Sequence, residues 1–154
     1  MALTTLGNTA FGTSSVVSAA IKDSAVVFNK LDANTAHTGR NQSFTVAQRG
    51  AISALGVQTS TVTLNMNTSN YFSLTANGNI TIANPSNTTA GQAGALFVTA
   101  NGSFTTSFGS HWRFATGTAP TMSTVAGKVD RIDYVVQSAN TIHAVATIDL
   151  LGTA

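Results

Sequence analysis

The chain is 154 residues long and carries seven basic and five acidic side chains, for a net charge of +2, with no glutamate and no cysteine. The missing cysteines exclude disulfides, thiolate chemistry and cysteine-ligated zinc. Charged residues make up 8% of the chain, against about 25% in an ordinary soluble domain. Surface charge keeps free proteins apart, so this composition suits a protein that sits against copies of itself or a partner. The cations (Lys22, Lys30, Arg40, Arg49, Arg113, Lys128 and Arg131) are scattered. Nucleic-acid binding needs several phosphate contacts from one face and is not expected. No apolar run approaches the ~20 residues of a membrane helix. Met1 to Ala20 lack a basic n-region and a continuous apolar h-region, so neither a secretory signal nor a membrane anchor is expected.

The length suggests one domain, or one domain with an arm. Residues 1–42 read as an N-terminal arm or docking segment. In it Val16, Val17, Ala20 and Ile21 are spaced for one or two helical turns, and Ser24 to Phe28 could form a strand. A segment rich in Gly, Ala, Ser and Thr has weak preference for a fold of its own and can order on contact. Its expected apolar anchors for a partner are Val16, Val17, Ile21, Val26, Val27 and Phe28.

Residues 43–154 read as a β domain. Phe44 and Val46 alternate with polar neighbours, then Val62, Leu64 and Met66, then Phe72 and Leu74, then Ile80 and Ile82. Ala95 to Thr99 is a short apolar run. Phe104, Thr106 and Phe108 follow, then Trp112 and Phe114, and the two strongest runs close the pattern, Arg131 to Gln137 and Thr141 to Leu150. Period-2 alternation with β-branched and aromatic residues is the mark of half-buried strands. The Asn77-Gly78 and Asn101-Gly102 pairs favour tight hairpins, and no internal repeat of 20–50 residues aligns. The fold class expected is therefore all-β, an antiparallel β-sandwich or jelly-roll-like domain with an N-terminal arm. The expected core is Phe72, Leu74, Ile80, Ile82, Phe97, Val98, Ile132, Tyr134 or Val135, Ile142 and Ile148.

Candidate chemistry is sparse. No G-x-S-x-G elbow occurs, and His37, His111 and His143 read as structural. Asp130 and Asp133 lie three apart on a strand and so point to opposite faces, with Lys128 and Arg131 as nearby ion-pair partners. Gly91 to Gly94 lack the Lys-Ser/Thr that a phosphate loop needs. No catalytic, cofactor-binding or metal residues are assigned, no cofactor is expected, and the chain is not expected to be an enzyme. The His111-Trp112-Arg113-Phe114 cluster gathers aromatics with a cation, which can stack on a sugar or a base. Trp112 joins the expected partner-binding residues.

Several motifs in order carry a resemblance: Gln48-Arg49-Gly50 after FTVA, NYFSLTANGNITIANPSN, AGQAGALFVTANG, SHWRF, and the run from Ala119-Pro120-Thr121 to Tyr134. Together they resemble a β-domain common in virion structural proteins of tailed bacteriophages, often labelled tail-fibre-like and usable as capsid decoration. The resemblance spans roughly Ser43 to Leu150. It implies a virion structural protein, made in the cytoplasm of the infected bacterium and carried on the capsid surface. A chain that ends at Ala154 leaves no room for a fibre shaft, which favours a capsid decoration (cement) protein that binds the major capsid protein and stabilises the head. Self-association is expected, as a homotrimer matching the three-fold positions of an icosahedral shell. The alternative is a tail- or fibre-associated module binding a receptor or glycan.

Overall fold

The computed structural model describes residues 47–150. The chain divides into two units, Met1–Ala47 and Gln48–Ala154. The described residues of the second unit hold nine strands: β1 (Ile52–Gln58), β2 (Thr61–Val62), β3 (Tyr71–Ala76), β4 (Ile80–Ile82), β5 (Ala93–Ala100), β6 (Thr106–Phe108), β7 (Trp112–Arg113), β8 (Val129–Ser138) and β9 (Thr141–Leu150). The one helical element among them is a 3-10 turn at Ala115–Gly117. The fold is all-β, as expected from the alternating runs.

The pairing differs from the expectation. A six-stranded sheet has the order β1-β3-β5-β8-β9-β7, and a three-stranded sheet the order β2-β4-β6. β1–β3, β3–β5, β2–β4, β4–β6 and β7–β9 are parallel, and only β5–β8 and β8–β9 are antiparallel. The chain makes three successive coils. Each lays one strand in the long sheet, turns a corner, lays one in the short sheet, and returns one strand further on. Ile52 pairs with Tyr71 and Tyr71 with Ala95, offsets of 19 and 24 residues. These unequal offsets hide the repeat from any alignment at fixed period.

The corners explain why hairpins did not form. A type I′ hairpin turn needs positive φ at both central residues. Here Gly78 (φ 143°) and Gly102 (φ 116°) are positive, while Asn77 and Asn101 are not. Each Asn-Gly pair bends the chain from one sheet to the other instead of folding it back. The Asn77 N–H donates to the Gln58 carbonyl (2.8 Å) and the Asn101 N–H to that of Ala76 (2.9 Å), so each corner hangs on the coil before it. Side chains repeat the stacking: Thr81 Oγ1 meets Ser107 Oγ at 2.8 Å, Asn87 Nδ2 donates to Asn65 Oδ1 at 2.9 Å, and Gln92 Nε2 to Asn70 Oδ1 at 2.8 Å.

Both sheets close on one core. Val62, Phe72, Leu74, Ile80, Ile82, Leu96, Val98, Ile132, Tyr134, Val136 and Ile142 are among its buried residues. Two expected members are elsewhere. Phe97 stands next to Val98 on β5 and cannot share its face; it lies half-buried on the outer side, opposite Arg131. Ile148 is 37% exposed, near the end of β9, beyond the two residues that β7 covers and inside the register shift with β8 between Thr147 and Leu150. Tyr134 rather than Val135 faces inward, Val135 being 51% exposed.

Two close approaches fix the stack. A Cβ added to Gly94 would lie 1.7 Å from the Asn70 carbonyl oxygen and 2.7 Å from the Tyr134 hydroxyl. That carbonyl accepts from the Ala95 N–H (3.1 Å) and from Tyr134 Oη (2.7 Å), so it ties the second coil to β5 and β8 together. At the other end of β8, Asp130 is buried and accepts three bonds: from the Ser123 N–H (2.6 Å), Ser123 Oγ (2.7 Å) and the Asp149 N–H (2.7 Å). Asp130 and Asp133 do point to opposite faces. Lys128 pairs with Asp149 rather than with Asp130, and Arg131 with Asp133.

Candidate functional site

The outer face of the six-stranded sheet is set by strand parity. Where Ile132, Tyr134 and Val136 turn in, Arg131, Asp133 and Val135 turn out, and on β9 His143 and Val145 do the same. One cross-strand row runs Ile52, Tyr71, Ala95, Asp133, Val145. Ile52, Tyr71, Val135 and Val145 are exposed on this face, Ile52 to 57% and Val145 to 67%. Of its charges, Arg131 Nε bonds Asp133 Oδ2 at 3.0 Å, which neutralises the middle of the row.

Beside this row, at the β7 side of the sheet, is a shallow open groove of about 460 Å³. Arg113, Phe114, Asp133, Val135, His143 and Val145 line it, among others. β7 places Arg113 beside His143 because the two strands pair in register there. Arg113 Nη1 donates to the Ser110 carbonyl at 2.6 Å. His143 Nε2 meets Gln137 Oε1 at 2.9 Å, an amide rather than a carboxylate. The groove is thus a set of positioned hydrogen-bonding groups beside apolar side chains, suited to holding a ligand or a protein surface. No group of three or more metal-ligating side chains converges among the described residues. Beneath the groove, burial pushes the Tyr134 phenol up to about 12, and Tyr71 adds to the shift.

The expected partner residues Val16, Val17, Ile21, Val26, Val27 and Phe28 lie outside the described residues. Trp112 does not present its ring to a partner. It is 5% exposed, its Nε1 donates to the Ala83 carbonyl (3.0 Å), and its ring meets Phe108 and Tyr134 edge-on at 6.1 and 6.0 Å. A tryptophan whose N–H has an internal acceptor satisfies itself in a core. Its neighbours Arg113, Phe114 and His143 supply the accessible surface at that corner. The role of Asp130 as a structural centre is missed by reasoning from sequence, though a signal for it is present: a carboxylate at the inward parity of Ile132 and Tyr134 must find donors.

No family model matches the chain, and no curated protein or solved structure matches it either. No helix among the described residues is long and apolar enough to cross a membrane.

Proposed function

We propose that the chain is a structural protein of a tailed-phage virion, a capsid decoration protein that docks on the outer capsid surface through the major capsid protein and stabilises the head. The observation that carries this reading is the outer face of the long sheet. Ile52, Tyr71, Val135 and Val145 stand exposed there around an internally neutralised Arg131–Asp133 pair. Exposed apolar side chains gathered on one sheet face suit a protein contact site, and a chain with 8% charged residues is fitted to permanent contacts. The motif resemblance points the same way. In this reading residues 1–42 act as the docking arm, the two packed sheets form a sandwich-like platform, and the protein acts without catalysis. Self-association, as a trimer at three-fold positions, completes it.

Particles stripped of the protein supply the test. Re-addition of the chain should restore saturable binding and resistance to heat or chelation, with hundreds of copies per particle by quantified gel. Deleting Met1 to Lys30 should abolish attachment. A copy number of a few per particle, or binding to tails alone, would sink the decoration reading.

The groove favours one second reading, a glycan-binding module. Arg113 and His143, the latter held by Gln137, offer hydrogen-bonding groups beside Phe114. Saturable binding of a host-surface glycan, lost on Arg113→Ala, would support it over a purely structural role.

A further inference from the structure

The two outer edges of the six-stranded sheet are built differently. β1 carries Gly56 in the left-handed region (φ 73°) and breaks register with β3 between Ala54 and Val57. Such a bulge twists an edge away from an approaching strand. β9 has its own register shift only further on, between Thr147 and Leu150 at the positive φ of Asp149, and pairs regularly with β8 from Ala144 to Thr147, a stretch reading Ala-Val-Ala-Thr. β7 covers β9 only at Ile142 and His143, and the chain then leaves through the turn at Ala115–Gly117.

Hydrogen bonds on the flanking strands fix which way the β9 main chain points. The Ile142 N–H donates to the His111 carbonyl (2.9 Å), on the β7 side. Val136, opposite Ile142, turns its own main chain the other way, bonding Gly91 and Gln92. Even-numbered residues of β9 therefore point away from β8. Past the pairing with Arg113, the C=O of Ala144, both groups of Ala146 and the N–H of Ile148 face outward, with no partner among the described residues.

This window is self-complementary. A two-fold axis at Ala146 sets Ala144 opposite Ile148 of a second copy, and Ala146 opposite itself. One end of the window is closed by β7, with Arg113 beside His143. The other ends at Asp149, where the strand bends (φ 59°). The same rotation brings the bend of one copy to the end of β7 in the other. The half-exposed Asp149 carboxylate of one copy, paired with Lys128 of its own chain, then arrives at the exposed Arg113 of the other.

We propose that β9 pairs antiparallel with β9 of a second copy of this chain across a two-fold axis at Ala146, joining two six-stranded sheets edge to edge. Such an interface is isologous and closed. It goes beyond the decoration reading and does not depend on it; a three-fold ring would use other surfaces, and this contact would link neighbouring rings.

The absence of native cysteine makes disulfide trapping a clean test on the full chain. Residue 146 would face itself with Cα atoms about 5.5 Å apart, inside the disulfide range of about 4.4–6.8 Å. Ala146→Cys should therefore form a covalent dimer under mild oxidation. Val145 and Thr147 lie on the outer face, where substitution leaves the core intact, and would sit opposite one another across the axis at about 4.5 Å. Mixing Val145→Cys with Thr147→Cys should give several-fold more dimer than either alone. Adding Val145→Lys to Ala146→Cys should cut the dimer yield several-fold by setting cations beside the axis. Equal dimer from the separate 145 and 147 variants and from their mixture would overturn the pairing. So would a monodisperse monomer by sedimentation at high concentration, or an Ala146→Cys yield no higher than that of a Ser107→Cys control on the short sheet.

Discussion

The three parallel coils, β1 through β6, and the antiparallel hairpin, β8 and β9, share one core but hold together in different ways. The hairpin is sequence-local. Its strands are ten residues each, joined by a short turn, and alternate between faces from Val129 to Val136 and from Thr141 to Val145. The coils pair residues 18 to 26 positions apart and rely on corners, carbonyl caps and stacked polar side chains. Local pairing needs only a turn and alternation, whereas stacking needs close backbone approach at every return. The coils should therefore be sensitive at glycines and the hairpin at its inward-facing side chains.

The sharpest way to break that contrast is Gly94→Ala. The added methyl meets main chain at Asn70, which cannot rotate aside, so a loss of about 3 kcal/mol or more is expected in urea denaturation. Gly56→Ala adds a methyl into open space and should cost only about 1 kcal/mol for its positive φ. Equal losses at both would show that the coil contact at Asn70 is yielding.

Side-chain parity in the hairpin comes next. Ile132→Ala empties a fully buried site and should cost about 2–5 kcal/mol. Val135→Ala, three residues on and exposed, should stay within about 0.5 kcal/mol. A reversal would put the faces the other way round.

Asp130 joins the hairpin to the loop before it. Asp130→Ala leaves the Ser123 N–H, Ser123 Oγ and Asp149 N–H without their acceptor, and about 2–3 kcal/mol should be lost. Amide hydrogen exchange should rise around Ser123 and Asp149 while the corners at Asn77 and Asn101 stay protected. Uniform exchange across the domain would mean that the two regions unfold as one.

Tyr134 links the regions through Asn70 and gives a pH signature. Its folded value is raised to about 12 from the usual 10.0. Between those values the unfolded chain loses the phenolic proton and the folded chain keeps it. The unfolded state then binds fewer protons, so stability falls as pH rises from 10 towards 12 and is unaffected by this group below 10. The loss is on the order of 2 kcal/mol. Tyr134→Phe should flatten that slope, and an unchanged slope would show that other groups set it.

The smallest effect concerns the ladders between coils. Thr81→Val removes the hydroxyl pair with Ser107 at an accessible site, and should change stability by less than about 1 kcal/mol. A loss above about 2 kcal/mol would make the polar ladder a main support of the stack.

Alternation in the sequence by itself determined that the domain is all-β. It located Arg131–Gln137 and Thr141–Leu150 within β8 and β9, and assigned Phe72, Leu74, Ile80, Ile82, Val98, Ile132 and Ile142 to the core. It did so because burying one face of a strand imposes period two, whatever the strand pairs with. That same indifference left the pairing undetermined. Parallel and antiparallel neighbours produce the same alternation, so only the tertiary structure decided that Asn77-Gly78 and Asn101-Gly102 turn corners rather than hairpins. Trp112 obeyed the same division. Its apolar bulk was plain in the sequence, but its burial depended on the Ala83 carbonyl, 29 residues away. The β9 edge was likewise invisible in the linear pattern, since a strand's free side is set by where its neighbour stops, and β7 stops after two residues.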